Sequence, residues 1–461
     1  MDVCQAIERK GGDMKREGFG SRIGIIAAAA GSAIGLGNIW KFPYVAGKNG
    51  GAAFIFVYLI CIMIIGIPIM LSEFILGRKT QSNAVRTFKK LAPNKPWYMT
   101  GIMGVVSAFI ILSFYSVVAG WVFSYISRTI TGSLIKVAPE QLADYFGTII
   151  SNPIEPIMWQ FLVIFLTASI VIAGVKDGVE KYSKILMPIL LGILVILMFR
   201  SLTLNGANKG IEFLLKPDFS SLSAKGVLEA LGHAFFSLSL GLGAMMTYGS
   251  YIDKKENLIS TAIQVTIADT GIALMAGLVI FPAVFAYGFE PSSGPSLLFI
   301  TLPAVFREMP LGGIFQALFF ILVGIASLTS TISMLEVIVA FFTEEFNISR
   351  KKSTVLLSIV VFIIGMPSAL SFGVMSDMKI LGKTYFDLFD FTASNILLPL
   401  GGLLISIFVG WIWGANKAVK EATNDNTITF RMANVYTFIT KYIAPIGILI
   451  IFLYATGIIK I

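Results

Sequence analysis

Cysteine, histidine and charged residues are all scarce in this chain. Its 461 residues include two cysteines and one histidine, and only 13% are charged. A disulfide framework needs several cysteine pairs and a zinc site needs clustered cysteine and histidine ligands, so neither is expected. Soluble domains carry about 25% charged residues, whereas 56% of this chain is hydrophobic. The composition therefore predicts a polytopic membrane protein surrounded by a lipid bilayer.

Long apolar segments recur along the whole chain. About 20 apolar residues are needed to cross a bilayer, and eleven segments meet this length. They are predicted near 22–47, 52–77, 97–130, 157–174, 181–201, 228–252, 258–288, 312–343, 353–372, 386–413 and 433–458. The preceding residues 1–21 are polar and lack the apolar core of a cleaved signal peptide, so we expect a cytoplasmic N-terminal segment.

Lysine and arginine are concentrated in alternate loops. When the N-terminus is placed inside, the inner segments hold most of the 35 basic residues, as the positive-inside rule requires. We therefore expect a multi-pass protein of the cell inner (plasma) membrane with a cytoplasmic N-terminus and an outer C-terminus. The net charge of +9 follows from this topology, and no nucleic-acid partner is expected.

Two of the predicted spans are interrupted by small residues near their centres. The first interruption runs from Gly31 to Asn38 and the second from Ser237 to Gly243. An unpaired backbone group in a bilayer costs roughly 2–7 kcal/mol, so a broken helix persists only where it lines a protein cavity. For either segment alone, small residues that allow close helix packing are the alternative. The matched pair points to a transporter's binding site.

The two interruptions divide the chain into similar halves. The first ten spans form two groups of five, 22–201 and 228–413, and each group begins with an interrupted span. Because five is odd, the second group crosses the bilayer upside down relative to the first. The segments 202–227 and 414–432 are an outer and an inner connection, and 433–461 holds the eleventh span. The predicted fold is an all-α membrane protein with a 5+5 inverted repeat, whose first and sixth helices are unwound at mid-membrane.

Several motifs resemble the neurotransmitter:sodium symporter family, in particular its bacterial amino-acid transporters of the leucine-transporter type. They are the interrupted run Gly31-Ser32-Ala33-Ile34-Gly35-Leu36-Gly37-Asn38, the triplet Ser113-Phe114-Tyr115, the segment 232–251 and Ala326-Ser327-Leu328-Thr329-Ser330. The resemblance covers nearly the whole chain. It implies the leucine-transporter fold and sodium-coupled import of an amino acid by alternating access. A sodium-independent exchanger of the same fold and a non-transporting amino-acid sensor are alternatives, while no nucleophile–base pair suggests an enzyme.

The resemblance implies two sodium sites built from oxygen ligands, which suit a hard cation. The first would use Ala33, Asn38, Ser237 and Asp269 together with the substrate's carboxylate. The second would use Gly31, Ile34, Ala326, Thr329 and Ser330. Hydroxyls in membrane helices usually bond their own backbone, so the last two residues are informative only because they would face the first interrupted helix.

The resemblance also implies an amino-acid site. Its expected members are Ala33, Leu36, Gly37, Ile111, Tyr115, Phe236, Ser237, Ser239, Leu242, Ser330 and Met334. Amides of the first interruption and the Tyr115 hydroxyl would hold the carboxylate, because helix N-termini attract anions. Monoamine transporters of the family have aspartate at the position of Gly35, so this glycine implies a substrate that brings its own carboxylate. The apolar pocket favours a large hydrophobic or aromatic amino acid.

Asp269 departs from the pattern of the chloride-dependent relatives, which have asparagine there. Their chloride site matches Tyr58, His233, Ser237, Asp269 and Ala273. An acid inside a span is functional by default, and this carboxylate would supply the charge that chloride otherwise brings. We therefore expect no chloride requirement. His233 would be either a hydrogen-bonded polar group of its helix or a neutral imidazole bonded to Asp269 or the outer gate.

Paired charges on either side of the site are the expected gates. The resemblance implies Lys41 and Asp390 as the outer gate and Arg16 and Glu344 as the inner gate. Lysine is a point charge without the bidentate fork of arginine, so we expect a looser or water-mediated outer contact. The sequence gives no prediction of the preferred amino acid or of the oligomeric state.

Overall fold

The computed structural model of the protein describes residues 17–289 and 297–459, and it is built of helices. The main helices are α1 (Arg22–Ala33), α2 (Gly37–Lys48), α3 (Ala52–Thr80), α4 (Ala84–Leu91), α5 (Tyr98–Ile130), α6 (Leu142–Ser151), α7 (Glu155–Val171), α8 (Val175–Leu202), α9 (Asn208–Leu215), α10 (Ala224–Ser237), α11 (Ala244–Gly249), α12 (Leu258–Ala286), α13 (Leu302–Glu308), α14 (Gly312–Phe346), α15 (Arg350–Leu370), α16 (Tyr385–Ile412), α17 (Ala415–Ala422) and α18 (Ala433–Ala455).

Within these described residues, eight helices are long and apolar enough to cross a membrane. The number rises to ten when each of two bent pairs is taken as one span: α1 with α2, bent by 51°, and Pro139–Ser151 with α7, bent by 72°. The predicted all-helical membrane fold is therefore confirmed. The predicted span 228–252 is divided between α10 and α11, so the count of eleven stays a prediction.

The helix α8 begins at Val175, six residues before the predicted span. Gly174, the residue directly before α8, has a φ of 100°, a conformation that glycine adopts readily. A Cβ added at Gly178 would lie 2.1 Å from the Ile170 carbonyl oxygen, so α7 and α8 meet backbone against backbone. This close turn lets the helix start before its apolar run begins.

The short helix α11 is held against α3 through glycines. A Cβ added at Gly77 would lie 2.0 Å from the Met246 carbonyl oxygen, and one at Gly249 would lie 2.7 Å from the Phe74 carbonyl oxygen. Real Cβ atoms do not approach backbone so closely, so both positions require glycine. The contact fixes one end of the second interrupted segment to the continuous helix α3.

Aromatic side chains join α5 to the start of α16. The ring centroid of Phe386 lies 5.4 Å from that of Phe114 and 6.1 Å from that of Trp121. Phe372 lies 5.1 Å from Phe386 and 5.2 Å from Trp121. Aromatic pairs contribute roughly 0.5–1.5 kcal/mol each beyond their burial. The start of α16 is therefore fixed to the helix that carries Tyr115.

The substitution Gly77→Ala is expected to lower thermal stability, because its Cβ would push α3 away from α11. Overpacking a core costs about 1–3 kcal/mol, and here the obstacle is a carbonyl group, which cannot rotate away. The measurement is the unfolding temperature of the purified protein in detergent. Gly192→Ala on the exposed face of α8 is the control, since nothing lies within 4 Å of its added Cβ. Equal unfolding temperatures for the two variants would contradict the contact.

Candidate functional site

The first break, between α1 and α2, has side-chain partners for its freed amides. The Gly35 N–H donates to Asn38 Oδ1 at 3.0 Å, and the Leu36 N–H donates to the Tyr115 hydroxyl at 3.0 Å. The Ile34 N–H donates to the Ala30 carbonyl at 2.7 Å and closes the end of α1. Two of these three amides therefore depend on polar side chains, one from α2 and one from α5.

The second break, between α10 and α11, contains residues with left-handed backbone. The φ angles of Ser239 and Gly241 are 53° and 82°. The Gly241 N–H donates to Glu73 Oε1 of α3 at 2.8 Å, and Ser239 Oγ donates to the Ser32 carbonyl at 3.0 Å. The two breaks are thus bonded to each other, and a buried carboxylate supports the second one.

A cavity lies where the two breaks meet α5, α14 and α16. It is lined by Ser32, Ala33, Gly35, Gly37, Ile111, Tyr115, Phe236, Ser239, Leu242, Ser330, Met334 and Leu398. Nine of the eleven predicted substrate residues are among them. The other two lie beside it: Leu36 through its amide on Tyr115, and Ser237, whose hydroxyl faces Asp269. A mostly apolar cavity with a few polar groups is typical of a small-molecule site.

Glycines bring α1 and the first break against α14. A Cβ added at Gly35 would lie 2.3 Å from Ser330 Oγ and 3.0 Å from the Tyr115 hydroxyl. A Cβ added at Gly31 would lie 3.4 Å from Thr329 Cβ. The cavity wall therefore has no room for an acidic side chain at Gly35.

Asn38, Ser237 and Asp269 form a buried polar cluster beside the cavity. Asn38 Nδ2 donates to Asp269 Oδ1 at 2.7 Å and to the Asp269 carbonyl at 3.0 Å. Ser237 Oγ donates to Asp269 Oδ2 at 3.0 Å. No lysine or arginine of the described segments forms an ion pair with Asp269. Because a buried carboxylate is costly without a cation, the cluster is suited to bind one.

Thr329 and Ser330 face the first break from α14. Thr329 Oγ1 donates to the Ala326 carbonyl at 3.0 Å, and Ser330 Oγ donates to the same carbonyl at 3.3 Å. Each hydroxyl donates its proton within its own helix, and its oxygen keeps lone pairs that can accept a hydrogen bond or coordinate a cation. The structure thus brings Gly31 and Thr329 into contact, with Ile34 at the end of the same helix.

On the predicted outer side, Lys41 lies over the Phe236 ring. Lys41 Nζ is 3.9 Å from the ring centroid, a cation–π distance. Asp390 Oδ1 accepts from Ser394 Oγ at 2.8 Å. Lys41 and Asp390 form no ion pair within 4 Å in the part of the chain that the structure describes. Phe236 thus lies between the Lys41 ammonium group and the cavity.

The predicted inner gate lies only partly within the described residues. Arg16 lies outside the described residues. Its expected partner Glu344 accepts the backbone N–H of Asn83 at 2.8 Å and the side-chain amide of Asn83 at 3.0 Å. Glu344 therefore ties the end of α14 to the start of α4.

Two carboxylates join the segment before α1 to the start of α8. Glu17 Oε2 accepts the Val175 N–H at 2.8 Å. In the opposite direction, Glu180 accepts the Gly20 N–H at 2.6 Å and the Ser21 hydroxyl at 2.9 Å. Each segment therefore binds the backbone of the other through a carboxylate.

His233 makes neither of the predicted hydrogen bonds. Its ring is buried near Phe42 and Tyr58, with centroids 5.8 Å and 5.4 Å apart. Within the described segments, neither of its ring nitrogens has a hydrogen-bond partner. Among the described residues neither predicted hydrogen bond is present, because the ring packs against the aromatic rings of α2 and α3.

Residues that were not among the predicted substrate and sodium ligands also take part in this site. Glu73 has the same sequence signal as Asp269, an acid within an apolar span, and could have been predicted from it. Ser32 and Gly35 belong to the first interrupted run. Leu398 has no such signal, because a leucine in an apolar helix does not differ from its neighbours.

Known proteins share both the sequence and the fold. The Sodium:neurotransmitter symporter family matches residues 16–138 and 149–460. The uncharacterized sodium-dependent transporter YhdH of Bacillus subtilis is 43% identical over 442 residues, which cover 96% of this chain and 98% of that protein. An uncharacterized sodium-dependent transporter of Haemophilus influenzae is 36% identical over 450 residues, covering 95% of this chain and 98% of that protein.

A solved structure is similar over almost the same range. The crystal structure of MhsT in complex with L-phenylalanine matches with a TM-score of 0.88 and 48% identity, covering 95% of this chain and 100% of that one. The resemblance seen in the interrupted segments is thereby confirmed. The chain belongs to the sodium:neurotransmitter symporter family, whose members are transporters and not enzymes.

Proposed function

We propose that this protein is a sodium-coupled symporter that imports a hydrophobic or aromatic L-amino acid by alternating access, without a chloride requirement. The observation that carries the proposal is the cluster of Asn38, Ser237 and Asp269 beside a mostly apolar cavity at two helix breaks. MhsT, which is similar in fold and sequence, is solved with L-phenylalanine.

The backbone of the first break would hold the substrate's carboxylate. The Leu36 N–H donates to the Tyr115 hydroxyl, which keeps its own proton. The donors that we expect to bind the anion are this hydroxyl and the amides of Leu36 and Gly37. The close approach of Ser330 and Tyr115 to Gly35 leaves this end without an acid of its own. An amino acid would supply that charge, and carbonyls of Ala33 and the second break would receive its amino group.

The other end of the cavity would take the substrate's side chain. Ile111, Phe236, Leu242 and Met334 supply apolar surface there. The Ser239 hydroxyl is engaged with the Ser32 carbonyl, so this end offers no charged partner. Because burying an unpaired charge costs several kcal/mol, at least about 3, we expect charged amino acids to be excluded.

The first sodium ion would be a co-substrate held by Asp269. In this proposal Asn38 and Ser237 contribute side-chain oxygens, Ala33 contributes its carbonyl, and the substrate contributes its carboxylate. Oxygen ligands of this kind suit a hard cation. The carboxylate of Asp269 balances the ion's charge inside the protein, which is why no chloride is needed beside it.

The second sodium ion would lie between α1 and α14. Its proposed ligands are Gly31, Ile34, Ala326, Thr329 and Ser330. The closeness of Gly31 to Thr329, whose Cβ would lie 3.4 Å from a Cβ added at Gly31, supports this placement because it puts the last turn of α1 beside the α14 residues that carry these hydroxyls.

The proposal extends to the whole chain. It places the two breaks at mid-membrane within eleven spans, with 22–201 and 228–413 as inverted repeats. It places the N-terminus in the cytoplasm and the C-terminus outside the cell inner membrane.

Lys41 and Asp390 would close the outer side over Phe236, and Arg16 with Glu344 would close the inner side. Surface ion pairs contribute only about 0–1 kcal/mol, and pairing this weak suits gates that open in every cycle.

Equilibrium binding of amino acids in two salts tests the proposed function. Radiolabelled L-phenylalanine, L-tryptophan, L-tyrosine and L-leucine are offered to the purified protein in sodium gluconate and in potassium gluconate. We expect saturable binding in the sodium salt alone, because the ion completes the site around the substrate's carboxylate. Equal binding in both salts would instead identify a sodium-independent exchanger. Absence of binding of all four amino acids would contradict the interpretation of the cavity.

The substitution Asp269→Asn is expected to weaken sodium-supported binding in gluconate by at least about tenfold. The variant keeps the shape of the side chain and removes only its charge, and a tenfold change corresponds to about 1.4 kcal/mol. The measurement is the sodium concentration that gives half-maximal binding. Asp218→Asn is the matched control, because that carboxylate lies in an outer connection and accepts only from Ser220. An unchanged sodium requirement in Asp269→Asn would remove this residue from the ion site.

A further inference from the structure

We propose that Leu398 determines the size of the amino-acid side chain that the cavity accepts. The residue belongs to α16, lines the cavity and is only 2% exposed. This inference rests on the proposed function and deepens it, because it names the residue that the far end of the substrate's side chain would contact. Leu398 thereby adds α16 to the helices that form the substrate site.

The helix α16 reaches the cavity because glycines let its backbone touch the second break. A Cβ added at Gly241 would lie 2.4 Å from the Leu398 carbonyl oxygen. From the other side, a Cβ added at Gly401 would lie 2.4 Å from the Gly241 carbonyl oxygen, and one at Gly402 would lie 2.3 Å from Phe235 Cε1. Gly241 and Gly401 thus let the backbones of α16 and the break meet directly, and Gly402 makes room for the Phe235 ring of α10 beside them.

This contact holds the Leu398 backbone in place from two directions. The left-handed φ of 82° at Gly241 fixes the shape of the break at the point of contact. Twelve residues earlier, at the start of the helix, Phe386 is packed on Phe114 and Trp121 of α5. A larger side chain at position 398 therefore cannot be accommodated by moving α16 outward, and its added atoms must enter the cavity.

The neighbouring cavity residues differ from Leu398 in this respect. Met334 of α14 has an unbranched, flexible side chain that adapts to different shapes. Leu242 belongs to the broken segment itself, whose residues are not held in a continuous helix. Of these three apolar residues at the side-chain end of the cavity, Leu398 is the one whose helix is held both at its start, by Phe386, and at the residue itself, by Gly241. It is therefore the residue best placed to act as a rigid size limit.

Two opposite substitutions test the inference. Leu398→Phe should shrink the cavity and Leu398→Ala should enlarge it. Binding of radiolabelled L-phenylalanine in sodium gluconate is competed with L-tryptophan and with L-valine, and the ratio of the two inhibition constants is compared with that of the wild type. We expect Leu398→Phe to shift the ratio toward valine by about tenfold and Leu398→Ala to shift it toward tryptophan, since even one methylene in an apolar pocket alters discrimination about 10–200-fold.

Matched controls on the same helix separate size selection from a general loss of fold. Leu400→Phe and Leu400→Ala alter the same residue type two positions away, outside the cavity lining, and should leave the ratio unchanged. If Leu398→Phe does not fold, Leu398→Ala carries the test alone, because removing atoms creates no clash. A wild-type ratio in Leu398→Ala, or equal shifts in the Leu398 and Leu400 variants, would overturn the inference. Absence of sodium-dependent binding in the wild type would instead refute the proposed function itself.

Discussion

The site depends on one constraint: backbone groups freed by a broken helix need partners when no water is available. At the first break those partners are Asn38 and Tyr115 for two amides and Ser239 for the Ser32 carbonyl, and at the second the Glu73 carboxylate accepts the Gly241 N–H. Tyr115 and Ser239 line the cavity, and Asn38 belongs to the polar cluster beside it. The groups that make the breaks tolerable are thus largely the groups available to a ligand, which is why cavity and breaks coincide.

The same constraint explains how the surrounding helices divide their roles. The helix α3 supports the second break through Glu73 and through the glycine contact at Gly77, and α16 presses on it at Gly241. The helices α5 and α14 bring Tyr115 and Ser330 to the first break. Asp269 adds the one carboxylate that faces both Asn38 and Ser237. A continuous scaffold therefore holds two irregular segments face to face around a small polar and apolar space.

Hydropathy and small residues were sufficient to predict the all-helical membrane fold and the position of both interruptions. From the resemblance of the motifs we predicted eleven substrate residues, and nine of them line the cavity. Features that depend on contacts between distant helices could not be predicted. The early start of α8 follows from the φ of Gly174, and the orientation of His233 follows from the rings packed around it. Leu398 reaches the cavity because Gly241 and Gly401 allow α16 to touch the break.

Uptake into proteoliposomes is the direct measurement of sodium-coupled import through this site. Vesicles containing the protein and potassium gluconate are placed in sodium gluconate with radiolabelled L-phenylalanine, so that the gradient points inward and chloride is absent. We expect L-phenylalanine to accumulate above its external concentration, and this accumulation to be lost when a sodium ionophore dissipates the gradient. Uptake that reaches only the external concentration, that is equal in potassium gluconate, or that appears only after chloride is added would contradict it.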